Sequence, residues 1–99
     1  MTVIQVGSIF ENVKAGPEVK GQILFVKIQE TLKQDADETV ILNFAAVNQF
    51  YPDYFQTYIS NIAAEKGIDY LDDHILIEPD GMIKTGEKMY LDVRGQYVS

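Results

Sequence analysis

The densest set of ligand-capable side chains is Asp69-x-x-Asp72-Asp73-His74. Carboxylates grouped in this way suit a hard cation such as magnesium or calcium, which takes oxygen ligands. The spacing is not that of a calcium loop, and no distant carboxylate motif accompanies it. The run therefore reads as a solvated loop capping the strand that follows, and Asp35, Asp37 and Glu38 read the same way. His74 is the only histidine, and so the only general base of the usual kind. No G-x-S-x-G nucleophile elbow stands near it, and a surface or edge-strand role fits it better. Gly7, Gly16 and Gly21 match neither a phosphate loop nor a dinucleotide fingerprint. Asp80-Gly81 is turn chemistry. Without cysteine there is no thiol catalysis or disulfide, and with a single histidine the material for a structural zinc site is missing. The expectation is a chain with no catalytic residues, no metal site and no cofactor.

The aromatic residues make a different point. Phe50, Tyr51, Tyr54, Phe55 and Tyr58 crowd one short stretch, and a helix cannot bury all of them on one face. Phe55 and Tyr58 fit a core stripe with Ile59 and Ile62. Tyr51 and Tyr54 are then expected at the surface, where aromatic side chains favour protein interfaces.

These residues belong to a chain of 99, the size of one domain spanning 1–99. Fifteen Asp and Glu against eight Lys and Arg give a net charge of -7. Apolar residues make up 46% and charged residues 23%, a globular composition rather than a disordered one. The acidity argues against nonspecific binding to nucleic acid or to an anionic membrane, both of which need a cationic face. The first residues lack the cationic start and long apolar run of a signal peptide. No stretch approaches the roughly 20 apolar residues that span a bilayer. A cytoplasmic protein is expected.

Val3, Ile4 and Val6 suit a short strand. From Glu18 to Lys33, with Pro17 in the first turn, the spacing predicts an amphipathic helix with Leu24, Ile28 and Leu32 on its apolar face. Gly21 is a soft spot in it. The run Thr39 to Phe44 is continuously β-prone and predicts a central strand buried on both faces. A second helix is predicted from Pro52 to Lys66, stopped by Gly67. Ile68 to Asp73 reads as a connector and His74 to Glu78 as a strand. Pro79-Asp80-Gly81 reads as a turn, and the segments from Met82 and from Lys88 to Val93 as a hairpin, with Gly86 interrupting a helical alternative from Lys84 to Leu91. The expected fold class is α/β: a small, mixed, largely parallel sheet packed by two main helices, with a β-rich C-terminal segment.

The segment Val40-Ile41-Leu42-Asn43-Phe44-Ala45-Ala46-Val47 resembles the strand of STAS and STAS-like domains, the anti-sigma factor antagonist fold. In that family an apolar strand ends in Asp-apolar-x-Gly-Val. Asn43 stands at the Asp position, Ala46 at the Gly and Val47 at the Val, and a helix begins about five residues later, as Pro52 does here. The helix from Gly16-Pro17 to Leu32 is similar to the one preceding this strand in the STAS-like subgroup. The likeness covers about residues 16–67. It implies a regulatory domain whose partner is a kinase-like ATPase or an anti-sigma-like factor. In the family a Ser or Thr before the second helix is phosphorylated, but Pro52 and Asp53 occupy the matching positions, so no phosphorylation site carries over. Asp53 either supplies a permanent, partial substitute for the phosphate charge or only stabilises its helix. The family usually closes with a helix, from which the β-rich reading of residues 75–98 departs.

Two functions follow as expectations. One is a non-enzymatic protein-interaction module using Asn48, Tyr51, Asp53, Tyr54 and Tyr58. The other is a small acidic inhibitor or nucleic-acid-mimicking decoy, of the sort a phage encodes, occupying a basic groove of its target. A metal-dependent hydrolase built on Asp69, Asp72, Asp73 and His74 ranks behind both.

Overall fold

A computed structural model describes residues 1–78 and 82–98. The elements run β1 (Thr2–Gln5), α1 (Val6–Glu11), α2 (Pro17–Gln34), β2 (Val40–Asn43), α3 (Asp53–Lys66), α4 (Ile68–His74), β3 (Ile75–Ile77) and α5 (Lys84–Gly95). The strands form one sheet in the order β1-β2-β3, and both pairings are parallel. The α/β class with a parallel sheet is as expected, and so are α2, α3 and the Gly67 stop, whose N–H donates to the Ala63 carbonyl.

The strand order progresses without reversing. Right-handed crossovers then place both sets of connecting helices on the same face of the sheet. On that face α2 packs against α3, and α5 packs against α3 from the other side. The core lies between the two layers. Ile4, Val40, Leu42 and Ile75 enter it from the sheet, Leu24, Ile28 and Leu32 from α2, and Phe55, Tyr58, Ile59 and Ile62 from α3. Gly21 is not a soft spot. It is buried, and an added Cβ would run into the Asp53 carbonyl oxygen at the start of α3.

Three expectations need correction. First, β2 is not buried on both faces: Val40 and Leu42 are buried while Ile41 and Asn43 are only half-buried, because the helices cover a single face. Second, Ile68–His74 is a helix rather than a connector. Third, the C-terminal segment is not β-rich. Lys84–Gly95 is α5, and neither hairpin strand forms among the described residues. Gly86 does not break the helix but packs inside it: an added Cβ would lie 2.7 Å from the Phe50 ring. Gly86, Met89, Tyr90 and Val93, spaced at three, one and three, turn the inner face of α5 to the core. The expected turn at Pro79-Asp80-Gly81 lies outside the described residues.

Candidate functional site

In a parallel sheet all strands end at the same edge, and the crevice outside those carboxyl ends is where open α/β sheets place their ligands. Here that crevice is a cleft of about 640 Å³ between two walls. The β2–α3 connection gives Ala46, Val47, Asn48 and Gln49, together with Tyr54 of α3. Facing them are Gly7, Phe10 and Glu11 of α1 and Lys20 of α2.

The connection begins with a tight turn. The Asn43 carboxamide oxygen accepts the Ala45 N–H at 2.8 Å, and the Val47 N–H donates to the Phe44 carbonyl at 3.0 Å. Between them Ala46 takes a φ of 73°, the left-handed region that glycine occupies without penalty. Three other elements then press on the connection through glycines. A Cβ at Gly7 would lie 2.6 Å from the Ala45 carbonyl oxygen, one at Gly86 would meet the Phe50 ring, and one at Gly21 would meet the Asp53 carbonyl. The loop is thus clamped by backbone at its start, middle and end.

Asn48, Tyr51 and Asp53 are exposed on this clamped segment. The Tyr51 hydroxyl donates to Gln49 Oε1 at 3.3 Å, and its ring packs edge-on against Tyr54 at 5.6 Å. Asp53 opens α3, where a carboxylate favours the positive end of the helix dipole.

Tyr54 is not at the surface as its spacing suggested. It is 4% exposed, because Phe10 of α1 packs against it at a tilt with ring centroids 4.6 Å apart. It still lines the cleft, and burial, followed by the neighbouring Tyr51, raises its ionisation above the ordinary tyrosine range. Tyr58 is fully buried, so it belongs to the core and not to a contact surface. Its hydroxyl has no hydrogen-bond partner among the described residues, and burial, with Tyr90 second, pushes its ionisation far up.

Gly7, Phe10, Glu11 and Lys20 were not singled out from the sequence. The available signal was Gly7, one residue past the apolar β1 run. Lys20 is the cleft's cation, and its ammonium lies 5.8 Å from the centre of the Phe10 ring.

The two acidic clusters, at 35–38 and 69–73, meet at the opposite edge. Tyr70 of α4 donates its hydroxyl to the Ala36 carbonyl at 2.7 Å, tying α4 to the loop before β2. Its ionisation is raised by burial first and then by Asp37, Asp35 and Glu65. Asp72 is taken up by Arg94 of α5, whose Nε donates to Oδ1 at 2.7 Å while a terminal nitrogen pairs with Oδ2. That guanidinium holds the Asp72 carboxyl below the usual range. His74 stacks on Tyr70 at 4.2 Å and has Nδ1 3.2 Å from the Glu38 carbonyl oxygen. Among the described residues no group of three or more His, Asp and Glu is placed to hold a metal ion. No helix among them is long and apolar enough to cross a membrane.

No family model, no curated protein and no solved structure matches the chain.

Proposed function

We propose that the chain is a non-enzymatic interaction module, STAS-like in kind, that captures a regulatory protein at the β2–α3 connection. The observation that carries this reading is an exposed polar and aromatic loop, Asn48 to Asp53, clamped by backbone contacts beside a cleft at the carboxyl edge of a parallel sheet. A contact loop ordered before its partner arrives loses little further entropy on binding. Two features support the STAS-like kinship. The left-handed Ala46 stands where the family places glycine, and α5 supplies the closing helix that the resemblance implies. The partner class that follows from it is a kinase-like ATPase, an anti-sigma-like factor or another regulator. Exposed Asp53 then presents a fixed negative charge where the family switches one on and off.

The test is capture of such an ATPase by the immobilised chain. Asn48→Ala, Tyr51→Ala and Asp53→Ala together should weaken capture at least tenfold with the melting temperature nearly unchanged. Undiminished capture moves the surface elsewhere. The acidic-decoy reading draws on a separate observation, the meeting of the loop at 35–38 with α4 at one edge of the sheet. It requires capture to fall steeply with salt and to depend on Asp35, Asp37 and Asp69 rather than on Tyr51.

A further inference from the structure

The walls of the cleft carry polar groups that the fold leaves without partners. Lys20 is half-buried there, its ammonium 5.8 Å from the centre of the Phe10 ring. No carboxylate pairs with it among the described residues, in a chain with fifteen Asp and Glu. Tyr54 is the second such group. The hydroxyls of Tyr51, Tyr70 and Tyr97 are hydrogen-bonded, and that of Tyr58 is sealed in the core. The Tyr54 hydroxyl is neither. It has no hydrogen-bond partner among the described residues, and the 4% of Tyr54 left exposed lines the cleft. A nearly buried phenol without a partner lacks a hydrogen bond that a ligand can supply. Burial holds this phenol in its protonated, donating form.

One ring joins the two groups. Phe10 lies beneath the Lys20 ammonium and packs against Tyr54. The backbone contact between Gly21 and Asp53 acts to the same end, since it fixes α2 against α3 at the neighbours of Lys20 and Tyr54. The β2–α3 connection adds two carboxamides. Gln49 Oε1 accepts the Tyr51 hydroxyl, which leaves Nε2 to donate, and Asn48 stands exposed beside it. Among the described residues Glu11 is the only carboxylate in the lining, and Phe10, Ala46 and Val47 supply apolar surface. A volume of about 640 Å³ is far more than a bare ion fills and lies in the range of organic-ligand sites.

We propose that the cleft binds a small organic anion, a carboxylate or phosphate head on an apolar body. The head meets the Lys20 ammonium and accepts a hydrogen bond from the Tyr54 hydroxyl, with Asn48 and Gln49 as further donors. The body lies on Phe10 and Val47. Glu11 repels a second anionic group. The pocket between α2 and α3 that holds Lys33 and Lys66 suits an anion less well, because both lysines stand in last helical turns, at the negative ends of the dipoles. The inference stands apart from protein capture by the loop, since it needs only this chain and a molecule within the cleft.

The test is a nuclear magnetic resonance titration of the full chain with phenylacetate, phenyl phosphate, inorganic phosphate and benzylamine. At least one of the two phenyl anions should give saturable shifts at the amides of Ala46 to Gln49 and the Val47 methyls. Which of the two does so identifies the head. Benzylamine, with the same ring and the opposite charge, should give none. Lys20→Gln should weaken binding at least fivefold and Tyr54→Phe by a smaller factor, each with the melting temperature nearly unchanged. Glu11→Gln should tighten binding, and Lys33→Gln should leave it as it was. Absence of saturable shifts with both phenyl anions, equal shifts with benzylamine, or undiminished binding by Lys20→Gln would overturn the inference. So would inorganic phosphate binding as tightly as the phenyl anions, since the apolar body would then contribute nothing. No protein partner takes part in the assay, so this inference and the capture reading can fail separately.

Discussion

The two edges of the sheet are built from the same three strands by different physics. At the carboxyl edge, Phe10, Phe44, Phe50, Tyr54 and Phe55 pack with centroids 4.6–6.5 Å apart, and three glycines let backbone touch the β2–α3 connection. At the amino edge, the loop at 35–38 meets α4 through the Tyr70 hydroxyl among acidic side chains, and the Asp72–Arg94 pair fastens α4 to α5. Dispersion and shape hold the first edge, which makes it indifferent to salt and pH. The second edge carries an added charge contribution, from the Asp72–Arg94 pair and the neighbouring carboxylates, and that contribution responds to both. A binding loop that must keep its form belongs at the first.

The sharpest way to break this contrast is to add one carbon to the clamp. Gly21→Ala and Gly86→Ala should each destabilise the fold by about 1–3 kcal/mol, despite the roughly 1 kcal/mol that alanine gains over glycine in a helix. Gly16→Ala, with nothing within 4 Å of its added Cβ, should leave stability nearly unchanged. Urea unfolding of the three variants separates close packing from propensity. A smaller effect of opposite sign is expected at the turn. Ala46→Gly relieves the left-handed strain and should raise stability by about 1 kcal/mol in the same assay.

The smallest effect belongs to the amino edge. Asp72→Asn removes a partly exposed ion pair, worth up to about 1 kcal/mol. Because Arg94 lowers the folded-state pKa of Asp72, the contribution is present above the ordinary carboxylate range and is lost as pH falls through the folded value. The gap between wild type and Asp72→Asn should therefore be full at pH 7 and close below about pH 4. A gap that persisted into strong acid would mean that packing, not charge, fastens α4 to α5.

The sequence was readable where a local pattern and the tertiary outcome agree. Leu24, Ile28 and Leu32 marked α2, and Pro52-Asp53 and Gly67 bracketed α3. It misled where a residue acts through a distant neighbour. Gly86 resembles a breaker until Phe50, 36 positions earlier, is seen resting on it, and with that contact hidden α5 read as a hairpin. Tyr54 looked exposed because the ring that covers it, Phe10, comes from another helix. The continuous apolar run of β2 implied two covered faces, whereas coverage depends on the order of the strands, which no short window contains. The candidate site was legible by half. Its exposed loop could be read from composition, while the facing wall of Gly7, Phe10, Glu11 and Lys20 follows only from bringing the ends of β1 and β2 together.

Most recognition loops owe their form to the side chains they tuck inward, and truncation is what spoils them. The β2–α3 connection adds a second requirement to that rule, since besides the Phe50 ring it tucks inward it depends on atoms that are not there, at three glycines. A substitution scan read for folding should show tolerance of shortening at the exposed Asn48, Gln49 and Tyr51, but not at the buried Phe50. The same scan should show near-complete intolerance, at Gly7, Gly21 and Gly86, of any gain in mass. Variants that lose binding would then fall into two groups, truncations of the exposed Asn48, Tyr51 and Asp53, and gains of mass on three helices that damage the loop from behind.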